Sequence, residues 1–132
     1  MAGVVTGVRK AYNDNGRVRR FHSAWVKKGK AIEAAAEIGS YNKFQPGPVQ
    51  DALARIQRKD PNATFSIARE GSPAIYVQTG KPRSVIGVFS AMGANYGPNE
   101  LDKVTGSPNA QRYLDRLPKK SDWTSVVRAW WD

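Results

Sequence analysis

Residues 64–92 read TFSIAREGSPAIYVQTGKPRSVIGVFSAM, and this stretch decides the fold that we predict for the chain. The runs 64–70 and 74–78 alternate apolar and polar residues, as half-buried strands do. The run 84–92 is apolar on both sides, which is typical of a strand covered on both faces. The intervening segments contain the glycine and proline residues that tight turns require. The stretch therefore predicts a three-stranded antiparallel meander.

The segments before the meander predict a hairpin followed by two helices. Asn13-Asp14-Asn15-Gly16 separates two runs of mixed basic and apolar residues, and Asn-Gly between such runs indicates a β-hairpin. We predict its strands at about residues 4–12 and 17–27. Good helix formers ending at a glycine predict a helix over about 29–38. Apolar residues at helical spacing after a proline predict a second helix, over about 48–59.

The segments after the meander predict helical structure. We expect one helical turn at about 99–104 and a helix from Ser107 or Pro108 to 117, with the serine as its cap. A last helix carries Trp123, Trp130 and Trp131 and docks on the sheet. Strands and helices are thus segregated along the chain, which favours an α+β fold over a parallel doubly wound sheet. At 132 residues the chain fits a single basic α+β domain over 1–132.

The composition excludes several kinds of chemistry. The chain has no cysteine and one histidine, so disulfides, thiolate nucleophiles and histidine-rich metal sites are excluded. We find no phosphate-binding loop, dinucleotide fingerprint or nucleophile elbow, and therefore expect no metal and no cofactor. The closest acidic pair, Glu100 and Asp102, fits a solvated helix start. Apolar runs are too short for a signal peptide or a membrane span, so we expect a soluble, cytoplasmic protein that contacts no membrane.

The charge is the strongest compositional signal. Lys and Arg number 21 against 11 Asp and Glu, a net charge of +10. The first 30 residues contain eight Lys or Arg against one Asp, a local excess of +7. Such an excess favours contact with polyanions through phosphate groups. The alternative is that basic residues on a hairpin only keep the protein soluble and prevent pairing between sheets.

We predict that this basic hairpin binds the backbone of a nucleic acid, RNA or single-stranded nucleic acid being slightly preferred. The predicted phosphate contacts are Arg9, Lys10, Arg17, Arg19, Arg20, Lys27, Lys28 and Lys30. Tyr41 and Phe44 flank Lys43 in a predicted loop, where aromatic rings can stack on unpaired bases. Packing in the core is the more common role of such rings.

His22 supports an alternative, a metal-independent ribonuclease of the toxin type. It is the one side chain suited to proton transfer near neutral pH, and it lies close to Arg19 and Arg20 in the sequence. A histidine without a recognisable partner is more often an ordinary strand residue. A second alternative is a viral structural protein, or an inhibitor whose basic surface binds an acidic host protein. The lack of a catalytic motif favours a binding protein over an enzyme.

Overall fold

A computed structural model describes residues 4–14, 17–117 and 123–132, and these residues form an α+β fold. The helices are α1 (Val4–Asn13), α2 (Lys28–Ile38), α3 (Pro46–Lys59), α4 (Pro82–Ser90), α5 (Gly93–Tyr96) and α6 (Pro108–Gln111). The strands are β1 (Arg20–His22), β2 (Thr64–Glu70), β3 (Ser72–Gln78), β4 (Glu100–Lys103) and β5 (Val126–Trp130). Short 3-10 helices cover Val104–Gly106 and Trp123–Ser125. The predicted fold class is confirmed.

The sheet has the strand order β1-β2-β3-β5-β4, and each neighbouring pair is antiparallel. β2 and β3 form a tight hairpin in which Glu70 pairs with Ser72. Gly71, between them, has a φ of 79°, in the left-handed region that glycine adopts without steric cost. β5 comes from the end of the chain and inserts between β3 and β4.

The two faces of the sheet bury different kinds of side chain. One face carries alternating apolar residues such as Phe65, Ile67 and Val77, which pack against α2, α3 and α4 in the main core. The other face carries Ala68, Tyr76 and polar residues, and the segment 104–117 covers it as a second, smaller cluster. β3 is therefore buried on both faces.

The predictions of two strands and two helices are confirmed. β2 occupies residues 64–70 as predicted, and β3 begins two residues before the predicted 74–78. α2 and α3 match the two predicted helices, although α3 begins at Pro46 rather than Pro48. Ser107 caps α6 as expected, its hydroxyl accepting a hydrogen bond from the Ala110 amide, but the regular helix ends at Gln111 instead of 117.

The predicted amino-terminal hairpin is wrong. Its first strand is the helix α1, because Val4, Val8 and Ala11 recur at helical spacing and two of them, Val8 and Ala11, are buried. The guanidinium of Arg69, on β2, donates a hydrogen bond to the carbonyl of Ala11 at the end of this helix. The predicted turn over Asn13–Gly16 includes residues 15 and 16, which lie outside the described residues.

Only part of the second predicted strand, 17–27, is a strand. β1 covers residues 20–22, and Val26 adds an isolated bridge to Phe65.

The third predicted strand of the meander is wrong too. Residues 82–90 form α4, in which Val85, Val88 and Phe89 are buried on one helical face. A helix with one apolar face and a doubly covered strand both read as an apolar run, and β-branched valines favoured the wrong choice.

The end of the chain is strand rather than helix. In β5, Val127 and Ala129 face the main core while Val126 and Arg128 face the second cluster. The predicted helical turn at 99–104 is mostly the edge strand β4. Among the described residues, no helix has the length and apolar character to cross a membrane.

Asp60 ties the end of α3 to the segment after β3. Its carboxylate accepts hydrogen bonds from the Thr79 hydroxyl at 2.6 Å, the Gly80 amide at 3.0 Å and the Asn62 amide at 3.1 Å. The bond from Thr79 and the two amides outweigh the effect of burial and lower the pKa of Asp60 below its ordinary value.

We predict that Asp60→Asn lowers the free energy of unfolding by about 1–3 kcal/mol at neutral pH, because the new NH2 group cannot accept these bonds. A carboxyl whose pKa is lowered by folding contributes stability above its unfolded pKa, which is about 3.9. The difference between wild type and variant should therefore stay constant above about pH 5 and shrink as the pH falls through the folded pKa. Urea denaturation across pH tests this; a difference independent of pH would contradict it.

Candidate functional site

Glu70, the last residue of β2, is the centre of a buried polar network on the second face of the sheet. Its side chain has no exposed surface. One carboxylate oxygen accepts hydrogen bonds from Arg128 Nε at 3.0 Å and Nη2 at 2.8 Å. The other lies 2.5 Å from the Tyr76 hydroxyl and 2.6 Å from His22 Nε2. A buried carboxylate requires such partners, because an unpaired charge in the core is strongly unfavourable.

The strand register brings these side chains together. Glu70 lies two residues beyond Ala68, which pairs with His22 on β1, and Tyr76 pairs with Arg128 on β5. Residues two apart on a strand point to the same face. Four neighbouring strands therefore each contribute one member of the network.

Two partners of Glu70 in this network, Arg128 and Tyr76, have pKa values shifted away from neutral pH. Burial acts to lower the pKa of Arg128, but the charge of Glu70 and hydrogen bonds to Glu100 and Glu70 raise it above its ordinary value, so the guanidinium stays charged. Burial, followed by the negative charge of Glu70, raises the pKa of Tyr76, so its hydroxyl stays a neutral donor.

A small cavity opens beside this network, and we call it the inner cavity. Its volume is about 170 Å³, and its lining consists of Glu70, Glu100, Asn109, Arg112, Tyr113, Arg128 and Trp130. Glu100 accepts hydrogen bonds from Arg128 Nη1 at 2.6 Å and from Asn109 Nδ2 at 2.9 Å. Burial opposes the shift, yet the bonds from Arg128 and Asn109 lower the pKa of Glu100, which is therefore ionised at neutral pH.

Tyr113 connects the inner cavity to a basic surface. Its ring lies 5.7 Å from the His22 ring and 5.5 Å from the guanidinium carbon of Arg20. The second distance is within the range of a cation–π interaction. Arg20 also lines a larger, more open cavity of about 460 Å³ together with Arg17, Val18, Arg19 and Arg116, and we call this the arginine cavity.

Four guanidinium groups give the arginine cavity its positive charge. No carboxylate in the described part of the chain lies within ion-pair distance of its four guanidinium groups. Arg17, Arg19, Arg20 and Arg116 are all exposed. Three of them were predicted from the sequence, and Arg116 joins them because the segment 104–117 folds over the sheet.

The other predicted contacts do not line this cavity. Arg9 pairs with Glu37 at 2.7 Å on the exposed surface of the helices and, with Lys10, lines a separate open cavity. Lys30 lies 3.5 Å from Glu33. Neither the inner nor the arginine cavity is lined by the remaining four, Lys27, Lys28, Tyr41 and Lys43, which lie at the start of α2 or in the loop before α3.

The predicted base-stacking role of Phe44 is wrong, because the ring lies in the core. It is completely buried, with its ring edge-on to Trp131 at 5.1 Å. His22 is also enclosed: its side chain is 2% exposed.

Sequence reasoning missed the centre of the site, Glu70, Tyr76, Arg128, Glu100, Arg112 and Tyr113. A charged residue within or at the end of a strand-like run was the available signal, for Arg128 in VVRAW and Glu70 in TFSIARE. That signal does not reveal that the two residues pair with each other, because 58 positions separate them in the chain.

No protein-family model, curated protein or solved structure matches the chain. In the part of the chain that the structure describes, no three acidic or histidine side chains are grouped as metal ligands. The features of the described residues that bear on function are the two cavities and the Glu70 network.

We predict that Glu70→Gln lowers the free energy of unfolding by about 3–5 kcal/mol, since it removes the buried charge that pairs with Arg128 and leaves this guanidinium with the partly exposed Glu100 as its other carboxylate partner. Urea denaturation measures the change. Glu37→Gln is the matched control: the same substitution in an exposed pair should change stability much less. Equal effects of the two variants would show that the Glu70 network does not stabilise the fold.

Proposed function

We propose that this protein binds the phosphate backbone of a nucleic acid through the arginine cavity. The observation that supports the proposal is a set of four exposed guanidinium groups lining one cavity without a carboxylate partner among the described residues. Guanidinium groups bind phosphate oxygens in a bidentate manner. Unpaired arginines also need no internal ion pair to break before they bind.

The net charge of the chain supports the same function. A charge of +10 attracts a polyanion over distance, and the cavity supplies the close contacts. We propose RNA or single-stranded DNA rather than duplex, because Tyr113 lies beneath Arg20 next to the cavity and a ring there can stack on an unpaired base.

We predict that the triple charge reversal Arg17→Glu, Arg19→Glu and Arg20→Glu weakens binding to single-stranded oligonucleotides of any sequence. The slope of log affinity against log salt should fall in magnitude by about 2, because three phosphate contacts are lost. Fluorescence anisotropy in a salt series, with RNA, single-stranded DNA and duplex DNA, measures both quantities.

The matched control is Arg55→Glu, Arg58→Glu and Arg83→Glu. It makes the same change in net charge at exposed arginines of α3 and α4, which pack on the opposite face of the sheet. Equal loss in both variants would show that only net charge matters and would reject the cavity. If wild type binds none of the nucleic acids, the proposal fails and an acidic protein becomes the better candidate partner.

The second candidate function is metal-independent cleavage of RNA. It is favoured by the contact between His22 and the Glu70 carboxylate, with the Tyr113 ring beside the imidazole and Arg20 over that ring. A histidine paired with a carboxylate can move a proton, and arginines stabilise charge on a phosphate. Because the imidazole is 2% exposed, cleavage would require the segment 104–117 to move away from it.

If this candidate is right, the protein cleaves RNA in the presence of a chelator, and His22→Gln abolishes cleavage while the salt-dependent binding of RNA persists. Thermal unfolding of the variant shows that it is folded. Gel analysis of end-labelled RNA measures the rate, and an unchanged rate in a folded His22→Gln protein rejects the role of this histidine.

A further inference from the structure

The inner cavity differs from the arginine cavity in charge, and phosphate does not suit it. Its lining contains two carboxylates, Glu70 and Glu100, as well as two guanidinium groups. A phosphate placed there would meet both carboxylates at close range. A neutral ligand with donors and acceptors on adjacent atoms fits this lining better.

We propose that the inner cavity binds the guanine base of a single-stranded nucleic acid. This inference deepens the proposed function and rests on it: the arginine cavity would hold the backbone while one unpaired base enters the inner cavity. Tyr113 makes the arrangement continuous, because it lines the inner cavity and contacts Arg20 of the arginine cavity.

Glu100 is the group that would recognise the base. Glu70 already accepts from four donor atoms and has no further capacity. Glu100 accepts one bond at each oxygen, so each oxygen retains one acceptor position. Its side chain is 33% exposed, and it lines the cavity.

Arg112 and two rings complete the site. Arg112 also lines the cavity, and its guanidinium forms no hydrogen bond or ion pair with another described residue. Its N–H groups can therefore donate to a carbonyl oxygen or ring nitrogen of the base. Tyr113 and Trp130 supply ring surface, and the indole of Trp130 is held by its hydrogen bond to the Glu70 carbonyl at 3.2 Å. Aromatic rings of this kind stack on unpaired bases.

Guanine is favoured over the other bases by the order of its hydrogen-bonding groups. Its N1–H and N2–H2 donors lie side by side and match the two oxygens of one carboxylate, while O6 and N7 accept from an arginine. Adenine, cytosine and uracil each lack two adjacent donors on this edge. The cavity is smaller than the roughly 300–1,000 Å³ of drug-sized sites, which suits a single base.

The test is an NMR titration with free nucleosides, which have no phosphate. We expect guanosine to shift the indole N–H signal of Trp130, assigned through Trp130→Phe, and to bind at least about tenfold more tightly than adenosine, cytidine or uridine. Inosine, which lacks the N2 amino group, should bind more weakly than guanosine. Equal binding of all nucleosides, or no shift with guanosine, would overturn the proposal.

Two variants locate the site. Glu100→Gln should remove the preference for guanosine, and Asp102→Asn, an exposed acid two residues along the same strand face, should keep it. Because Glu100 also pairs with Arg128, Arg112→Met serves as a second variant that leaves the Glu70 network intact and should weaken guanosine binding about tenfold. If guanosine binding is unchanged in both Glu100→Gln and Arg112→Met, guanosine binds outside the inner cavity and the proposal is overturned.

Binding to single-stranded oligomers tests the guanine site and the proposed function separately. Anisotropy compares U-rich pentamers that carry G, A, C or U at the centre. Salt-dependent binding of all four with equal affinity would overturn the guanine site and leave phosphate binding standing. Guanosine binding without binding of any oligomer would leave the guanine site standing and reject the proposed function.

Discussion

The buried carboxylate of Glu70 is the constraint on which the second face of the sheet depends. A charge without solvent is tolerated only when donors surround it, and here they come from β1, β3 and β5. Meeting that requirement joins the edge strand β1 to the middle of the sheet. It also places His22 beside Tyr113, so that the segment 104–117 contacts the network as well as the second apolar cluster.

The two faces of the sheet differ in the chemistry of their side chains. Helices α2, α3 and α4 cover one face and, together with the apolar residues of the strands, form the main core. The opposite face carries the polar network, the inner cavity and the arginine cavity. Side chains on the second face can therefore vary without disturbing the packing of the main core, since successive residues of a strand point to opposite sides.

Local patterns predicted β2, β3, α2 and α3 and failed at α1, α4 and β5. β2, β3, α2 and α3 have periodicity and end signals that agree with their tertiary surroundings. α1 and α4 contain valines, whose preference for strands is overridden by burial of one helical face. β5 is a strand because the sheet offers it a place between β3 and β4, which no local pattern reveals.

The sequence by itself determined the α+β class, the basic charge, the absence of cysteine chemistry and the concentration of arginines near residues 17–20. These properties depend on composition and local order. Only the tertiary structure decided that Glu70 meets Arg128, that Arg116 joins Arg17 and Arg20, and that Phe44 is buried. The physical reason is that strand pairing and the covering of a sheet face join residues far apart in the chain, and pairings of that kind leave no trace in the residues taken one segment at a time.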